Sequence, residues 1–98
     1  MFIVNRTEEF SRWLDGLKDK VTKAKLIRRL QKAEHGLLGD VAPVGDGVSE
    51  MREHFGRGWR MYYIQRGPVL LLMLGGGDKS SRQADIAAAK KLAATVKE

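Results

Sequence analysis

The sequence predicts an α+β domain whose elements run β-α-α-β-β-β-α, and three observations carry that prediction. Phe10, Trp13, Leu14 and Leu17 stand at i, i+3, i+4 and i+7, which is one apolar helix stripe. From Val48 to Leu74, β-prone segments alternate with glycine-bearing turns. After Ser81 the spacing returns to a helical one, with Ile86, Ala89, Ala93 and Val96 on the inner side. The 98 residues, read as one domain spanning 1–98, suffice to bury roughly 65% of the unfolded surface without staples.

In chain order, the FIV run within Met1–Asn5 is a short edge or central strand. Thr7 offers an N-cap, with Glu8 and Glu9 in the first turn against the helix dipole. Asp15-Gly16 weakens that helix near its end. A second helix runs from Asp19 to about His35, with Val21, Ala24, Ile27 and Leu30 inward and Gly36 as its left-handed cap. The two helices read as an antiparallel hairpin. Gly36 to Gly47 is loop chemistry, pinned by Leu37, Leu38 and Val44. Three strands follow, joined at Gly56-Arg57-Gly58 and at Arg66-Gly67-Pro68. Val69–Leu74 is apolar throughout and therefore central and covered on both faces. Ser80 or Ser81 caps the last helix.

Composition excludes several classes. With no cysteine there is no disulfide scaffold, thiolate metal site or cysteine nucleophile. His35 and His54 are the two histidines, and neither has a ligand partner at helical spacing, so no metal is expected. The opening MFIVNRTEEF lacks the apolar core of a signal peptide, and no apolar run approaches a membrane span, so a soluble cytoplasmic protein with no membrane partner is expected. The net charge of +6 is concentrated: Lys18, Lys20, Lys23, Lys25, Arg28, Arg29 and Lys32 face one acid, Asp19, and this segment alone matches the excess of the whole chain. A basic helix of this kind fits nucleic acid or an acidic protein, or else forms a solvated face.

The strands carry charges at alternate positions. Period-2 geometry puts Glu50, Arg52 and His54 on one face and Met51 and Phe55 on the other. In the next strand Trp59, Met61 and Tyr63 read as core, which leaves Arg60 and Tyr62 on the charged face. Glu50 and Arg52 either form a surface pair of small energetic consequence or help to hold an anion with Arg60. His54 is an acid–base group or a solvated strand-end histidine. Tyr62 stacks on a base or covers aliphatic stems. Gly75-Gly76-Gly77-Asp78-Lys79-Ser80-Ser81 lacks the lysine directly after the last glycine that a nucleotide-hydrolysing loop requires. It is either a turn ending a strand or a helix N-terminus where Lys79 and backbone N–H groups hold one phosphate.

V-S-E-M-R-E-H-F-G-R-G-W-R-M-Y-Y, the later L-L-L-M-L-G-G-G-D-K-S-S-R-Q-A-D-I and the loop G-D-V-A-P-V-G-D-G, in this order, resemble the RelE/ParE toxin superfamily. The likeness is to its HigB-like addiction module killer branch, and it covers almost the whole chain. It implies a small twisted antiparallel sheet packed against an N-terminal helical hairpin. It further implies a type II toxin–antitoxin toxin held inactive by a cognate antitoxin, expected as a helix-turn-helix protein encoded alongside. Most such toxins are metal-independent endoribonucleases that cut mRNA on the ribosome, causing translation inhibition and growth arrest, with no cofactor. ParE relatives inhibit DNA gyrase instead, and a non-catalytic RNA-binding protein is a third alternative. By the resemblance, Arg60 matches the arginine of the family's G-Y-R-x-x-Y strand, Arg52 a basic position before it, and Lys79 the basic residue after the last strand's glycine. The tail AATVKE has neither the tyrosine nor the histidine that many relatives carry near the C-terminus.

The expected chemistry is attack by the substrate's own 2′-hydroxyl to give a 2′,3′-cyclic phosphate, with charge on phosphorus stabilised by Arg60, Arg52 and Lys79. Glu50 is the expected general base and His54 the acid. The basic helix, Lys18 to Lys32, is expected to dock on RNA backbone or to engage the antitoxin.

Overall fold

A computed structural model describes residues 1–96 of the chain. Its elements are β1 (Ile3–Arg6), α1 (Glu8–Asp15), α2 (Lys20–Glu34), β2 (Val41–Gly45), β3 (Val48–Arg52), β4 (Arg60–Arg66), β5 (Leu70–Gly77), a 3₁₀ turn (Lys79–Ser81) and α3 (Arg82–Thr95). The strands form one sheet in the order β1-β5-β4-β3-β2. The α+β class therefore stands, with two departures from the expected layout. The stretch 36–47 is not all loop, because Val41–Gly45 pairs antiparallel with β3 as an extra edge strand. The sheet is also mixed, not purely antiparallel, because β1 lies parallel to β5. β2 to β5 follow one another through short connections, and each consecutive pair is antiparallel. β1 reaches the sheet through a two-helix crossover, which permits parallel pairing.

Thr7 ends β1 and starts α1 together: its hydroxyl donates to the Met73 carbonyl at 2.8 Å and accepts from the Phe10 N–H at 3.1 Å. That cap sets the helix over the sheet, and Phe10 and Leu14 become fully buried while Trp13 and Leu17 pack beside them. In α2 the buried stripe is Thr22, Leu26, Leu30 and Ala33. The expected inward pair Val21 and Ala24 instead points to solvent, with Val21 63% exposed. Residues three apart drift off one helix face, whereas the observed spacing keeps close to 3.6. Thr22 tolerates burial because its hydroxyl donates to Asp19 Oδ2 at 2.9 Å. The backbone of α1 approaches β5 and β1, and that of α2 approaches β1, so the two helices are joined through the sheet more than to each other.

The two sheet faces build two cores. Met51, Met61, Tyr63, Leu71 and Met73 face α1 and α2. Val48, Tyr62, Ile64 and Leu74 face α3 through Ala89, Ile86, Leu92 and Ala93. β5 is thus buried on both sides, as its unbroken apolar run requires. Gly75–Gly77 continues β5 and pairs with Arg60–Tyr62, so these glycines are strand and not loop. At Gly76 the reason for glycine is space: a Cβ there would lie 2.4 Å from the Trp13 ring.

Candidate functional site

The alternation in β3 and β4 is as the sequence implies, but the face bearing the charges is covered. Helix α3 lies over it. Glu50 is completely buried, and so is Tyr62. The partners of Glu50 come from α3 and β4: Arg82 Nε at 2.9 Å and Nη2 at 3.3 Å from the helix, and from the strand the Tyr62 hydroxyl at 3.2 Å and Arg60 Nε at ion-pair distance, 3.4 Å. Burial, and then the Glu50 carboxylate, push the Tyr62 phenol above its usual range, so it remains a donor. Two expectations are corrected here. Glu50, shut off from solvent with both oxygens engaged, cannot reach a 2′-hydroxyl as a general base. Tyr62 has no open ring face on which a base could stack.

Arg60, on the same covered face, is mostly enclosed, its side chain 12% exposed. Its Nη1 donates to the Gly58 carbonyl at 2.7 Å while Nε sits against Glu50. The anion below and the carbonyl beside it fix the plane of the guanidinium. Among the described residues Nε is buried without a hydrogen bond, so Glu50 holds it by charge alone, and Nη2 makes no hydrogen bond. Gly58 makes this geometry possible. Its φ of +72° suits glycine, and a Cβ there would sit 3.2 Å from Arg60 Nη1 and 3.3 Å from Lys79 Cε.

A cleft of about 490 Å³ opens over this point, walled by Arg60, Lys79, Arg57, His54, Glu53 and the turn glycines. Lys79 is brought in by the backbone, its N–H donating to the Arg57 carbonyl at 3.2 Å. Asp78 caps the 3₁₀ turn, accepting from the Ser80 N–H at 2.9 Å. The Ser80 hydroxyl foremost, with Arg57 contributing, holds the Asp78 carboxyl below the usual carboxylate range. Arg57 lies 3.5 Å from Asp78 and Glu53 is tied to Arg29, so the carboxylates at the cleft are already paired. The remaining character of the cleft is cationic, and it is suited to a phosphate.

His54 stands at the edge of the cleft, its side chain 75% exposed, with Nε2 2.7 Å from Asp40 Oδ2. The other Asp40 oxygen accepts from Arg52 Nη2 at 2.9 Å. These two hydrogen bonds, that of Arg52 first, hold the Asp40 carboxyl well below the usual range. Arg52 is accordingly committed to Asp40, away from the cleft wall that carries Arg60 and Lys79. Asp40, Arg57 and Arg82 were missed by sequence reasoning. Asp40 sits among loop residues and Arg57 within a turn, while Arg82 meets Glu50 across 32 positions that no local pattern connects.

On α2, Lys20, Lys25, Arg28 and Lys32 are exposed, as is Lys18 just before the helix. Lys23 lies 3.5 Å from Asp15. Arg29 does not belong to the open basic face: its side chain is 10% exposed, pairs with Glu53, and donates to the carbonyls of Leu38, Asp40 and Arg52. It staples α2 to the loop ends beside the cleft. Among the described residues no group of acidic and histidine side chains could hold a metal, and no helix is long and apolar enough to cross a membrane.

Fold and site together define a small α+β domain with a five-stranded mixed sheet and a cationic cleft at the β3–β4 turn. A Haemophilus influenzae protein described as an uncharacterized protein is 40% identical to the chain over 90 residues, which span 92% of this chain and 91% of that protein. The chain belongs to the family of that protein. No family model matches the sequence, and no solved structure matches it.

Proposed function

We propose that the protein is a RelE-like toxin of a type II toxin–antitoxin pair, a HigB-type endoribonuclease that cuts mRNA on the ribosome without a metal. The RelE-like description of the fold and the cytoplasmic setting are part of this proposal. The observation that carries it is the convergence of Arg60, Lys79 and Arg57 on one cleft with His54 at its edge, within the residues that carry the resemblance. In this reading the scissile phosphate sits against Arg60 Nη2 and Lys79. The 2′-oxygen attacks phosphorus and the bond to the 5′-oxygen breaks, leaving a 2′,3′-cyclic phosphate. The 2′-hydroxyl proton passes to water, and protonated His54 supplies a proton to the departing 5′-oxygen. Arg60 and Lys79 stabilise the charge that grows on the phosphoryl oxygens. Glu50 acts through Arg60 as a positioning residue and does not touch the substrate. The partners are the ribosome, mRNA and a cognate antitoxin, which engages the basic face of α2 or the cleft itself.

The test is to add purified protein to a translating system and map mRNA ends by primer extension, with a gyrase supercoiling assay alongside. New ends bearing cyclic phosphate, lost in His54→Ala and Arg60→Ala, are expected. Inhibited supercoiling with intact mRNA would replace this reading with gyrase inhibition. Binding to RNA with neither effect would leave a non-catalytic RNA-binding protein.

A further inference from the structure

A second cleft, of about 280 Å³, adjoins the first, and Glu53 lines both. Its walls are Lys25, Arg28, Arg29 and Lys32 from α2, with Glu53 and Phe55 from the turn after β3. Arg29 neutralises Glu53, which leaves Lys25, Arg28 and Lys32 without an ion pair among the described residues. Three unpaired cations on successive turns of one helix repel each other, and a polyanion relieves that repulsion. Phe55 packs partly against the core, while Lys25 Nζ lies over its ring, 4.5 Å from the centroid. An apolar ring at the floor of a cationic cleft is of no use to a phosphate alone. It is the surface that a nucleobase stacks on.

We propose that this cleft is a nucleotide subsite, in which one unpaired base of single-stranded RNA stacks on Phe55 while Lys25, Arg28 and Lys32 hold the flanking phosphates. This rests on the RNA-cleaving reading and deepens it: the shared wall at Glu53 makes the two clefts one track, so the stacked base belongs to a nucleotide near the scissile phosphate. The ammonium of Lys25 occupies the ring face in the absence of RNA. Stacking of a base on an aromatic side chain is stronger than an exposed ammonium–ring contact, so the base displaces Lys25, which then pairs with the adjacent phosphate. An acidic peptide would use the cations but would have no need of Phe55.

The experiment is fluorescence anisotropy with a labelled 2′-O-methyl hexaribonucleotide, which cannot form the cyclic phosphate, and with a hexaglutamate peptide. The same oligonucleotide carrying one abasic position, moved along its length, is the second probe. Wild type should bind the oligonucleotide and lose affinity at one abasic position. Phe55→Leu should bind roughly 5- to 150-fold more weakly and become insensitive to the abasic position, and Phe55→Trp should restore both. Lys25→Gln and Arg28→Gln should each lower the magnitude of the log–log salt slope by about 0.7. Circular dichroism melts identify any Phe55→Leu loss that comes from unfolding, and abasic sensitivity in the folded Phe55→Trp protein then decides. Oligonucleotide binding with the expected Phe55 dependence but no mRNA cleavage would end the ribonuclease reading and leave the subsite standing. Absent binding, or binding indifferent to Phe55 and to the abasic position, would overturn the subsite, and preference for hexaglutamate would assign the cleft to an acidic protein segment.

Discussion

Replacing Glu50 with glutamine separates an anchoring carboxylate from a catalytic one. Glutamine keeps the shape and can still accept from Tyr62 and Arg82, but it removes the single negative charge between two guanidiniums. Glu50 is fully buried and Arg60 nearly so, whereas Arg82 is 39% exposed and can turn toward water. Breaking a buried pair by deleting one partner costs about 3–5 kcal/mol, and the solvent access of Arg82 argues for the lower end, near 3 kcal/mol. A domain of this size has roughly 5–15 kcal/mol of stability in total. Each kcal/mol moves the midpoint by about 4–8 °C, so Tm should fall by roughly 12–24 °C. Urea unfolding followed by circular dichroism measures the free energy, and mRNA cleavage is assayed well below the new Tm. If the protein cleaves mRNA as proposed, the folded fraction should retain cleavage reduced mainly by loss of Arg60 alignment. An unchanged urea midpoint with cleavage abolished would refute the anchoring argument and return Glu50 to the chemistry as a base.

Arg60→Ala should lower stability by about 1–3 kcal/mol through loss of a partner for Glu50 and, under the proposed ribonuclease activity, reduce cleavage by about 10²–10³, with Arg60→Lys recovering little, because lysine lacks the planar fork. Wild-type cleavage by folded Arg60→Ala would remove this residue from the mechanism. Gly76→Ala should cost about 1–3 kcal/mol in urea unfolding, since a Cβ would lie 2.4 Å from the packed Trp13 ring. Gly75→Ala, with nothing within 4 Å of its Cβ, serves as the control and should change stability by less than about 0.5 kcal/mol. Stability should also fall at both ends of the pH range. The depressed carboxyls of Asp19, Asp40 and Asp78 stabilise the fold above the ordinary value of 3.8, and that contribution is lost as pH drops through their folded values. The raised phenol of Tyr62 contributes below its ordinary value of 10.0 and is lost as pH rises beyond it, so Tyr62→Phe should flatten the alkaline limb of a urea-midpoint profile.

Local chemistry was enough to read the frame. Thr7 as a cap, the stripe from Phe10 to Leu17, the left-handed Gly36 and the alternation in Val48–Arg52 and Arg60–Arg66 each depend on residues within a few positions of one another. The same alternation correctly put Glu50, Arg60 and Tyr62 on a face opposite Met51, Met61 and Tyr63. What that face meets was not legible, because period-2 geometry gives a direction and says nothing of what lies over it. Helix α3 covers it, and an open charged surface becomes a buried carboxylate between two arginines, with one of them, Arg82, contributed from 32 residues away. Val41–Gly45 hid for a related reason: its glycine- and proline-rich composition is that of a loop, and only pairing with β3 makes it a strand. Arg29 shows the limit most plainly. Its sequence neighbours make it one more cation on a basic helix, yet the fold brings three carbonyls and Glu53 around it, because a guanidinium has donors enough to satisfy groups that no segment satisfies alone. Side-chain type and local period belong to the chain, whereas burial and partnership are properties of the packed whole.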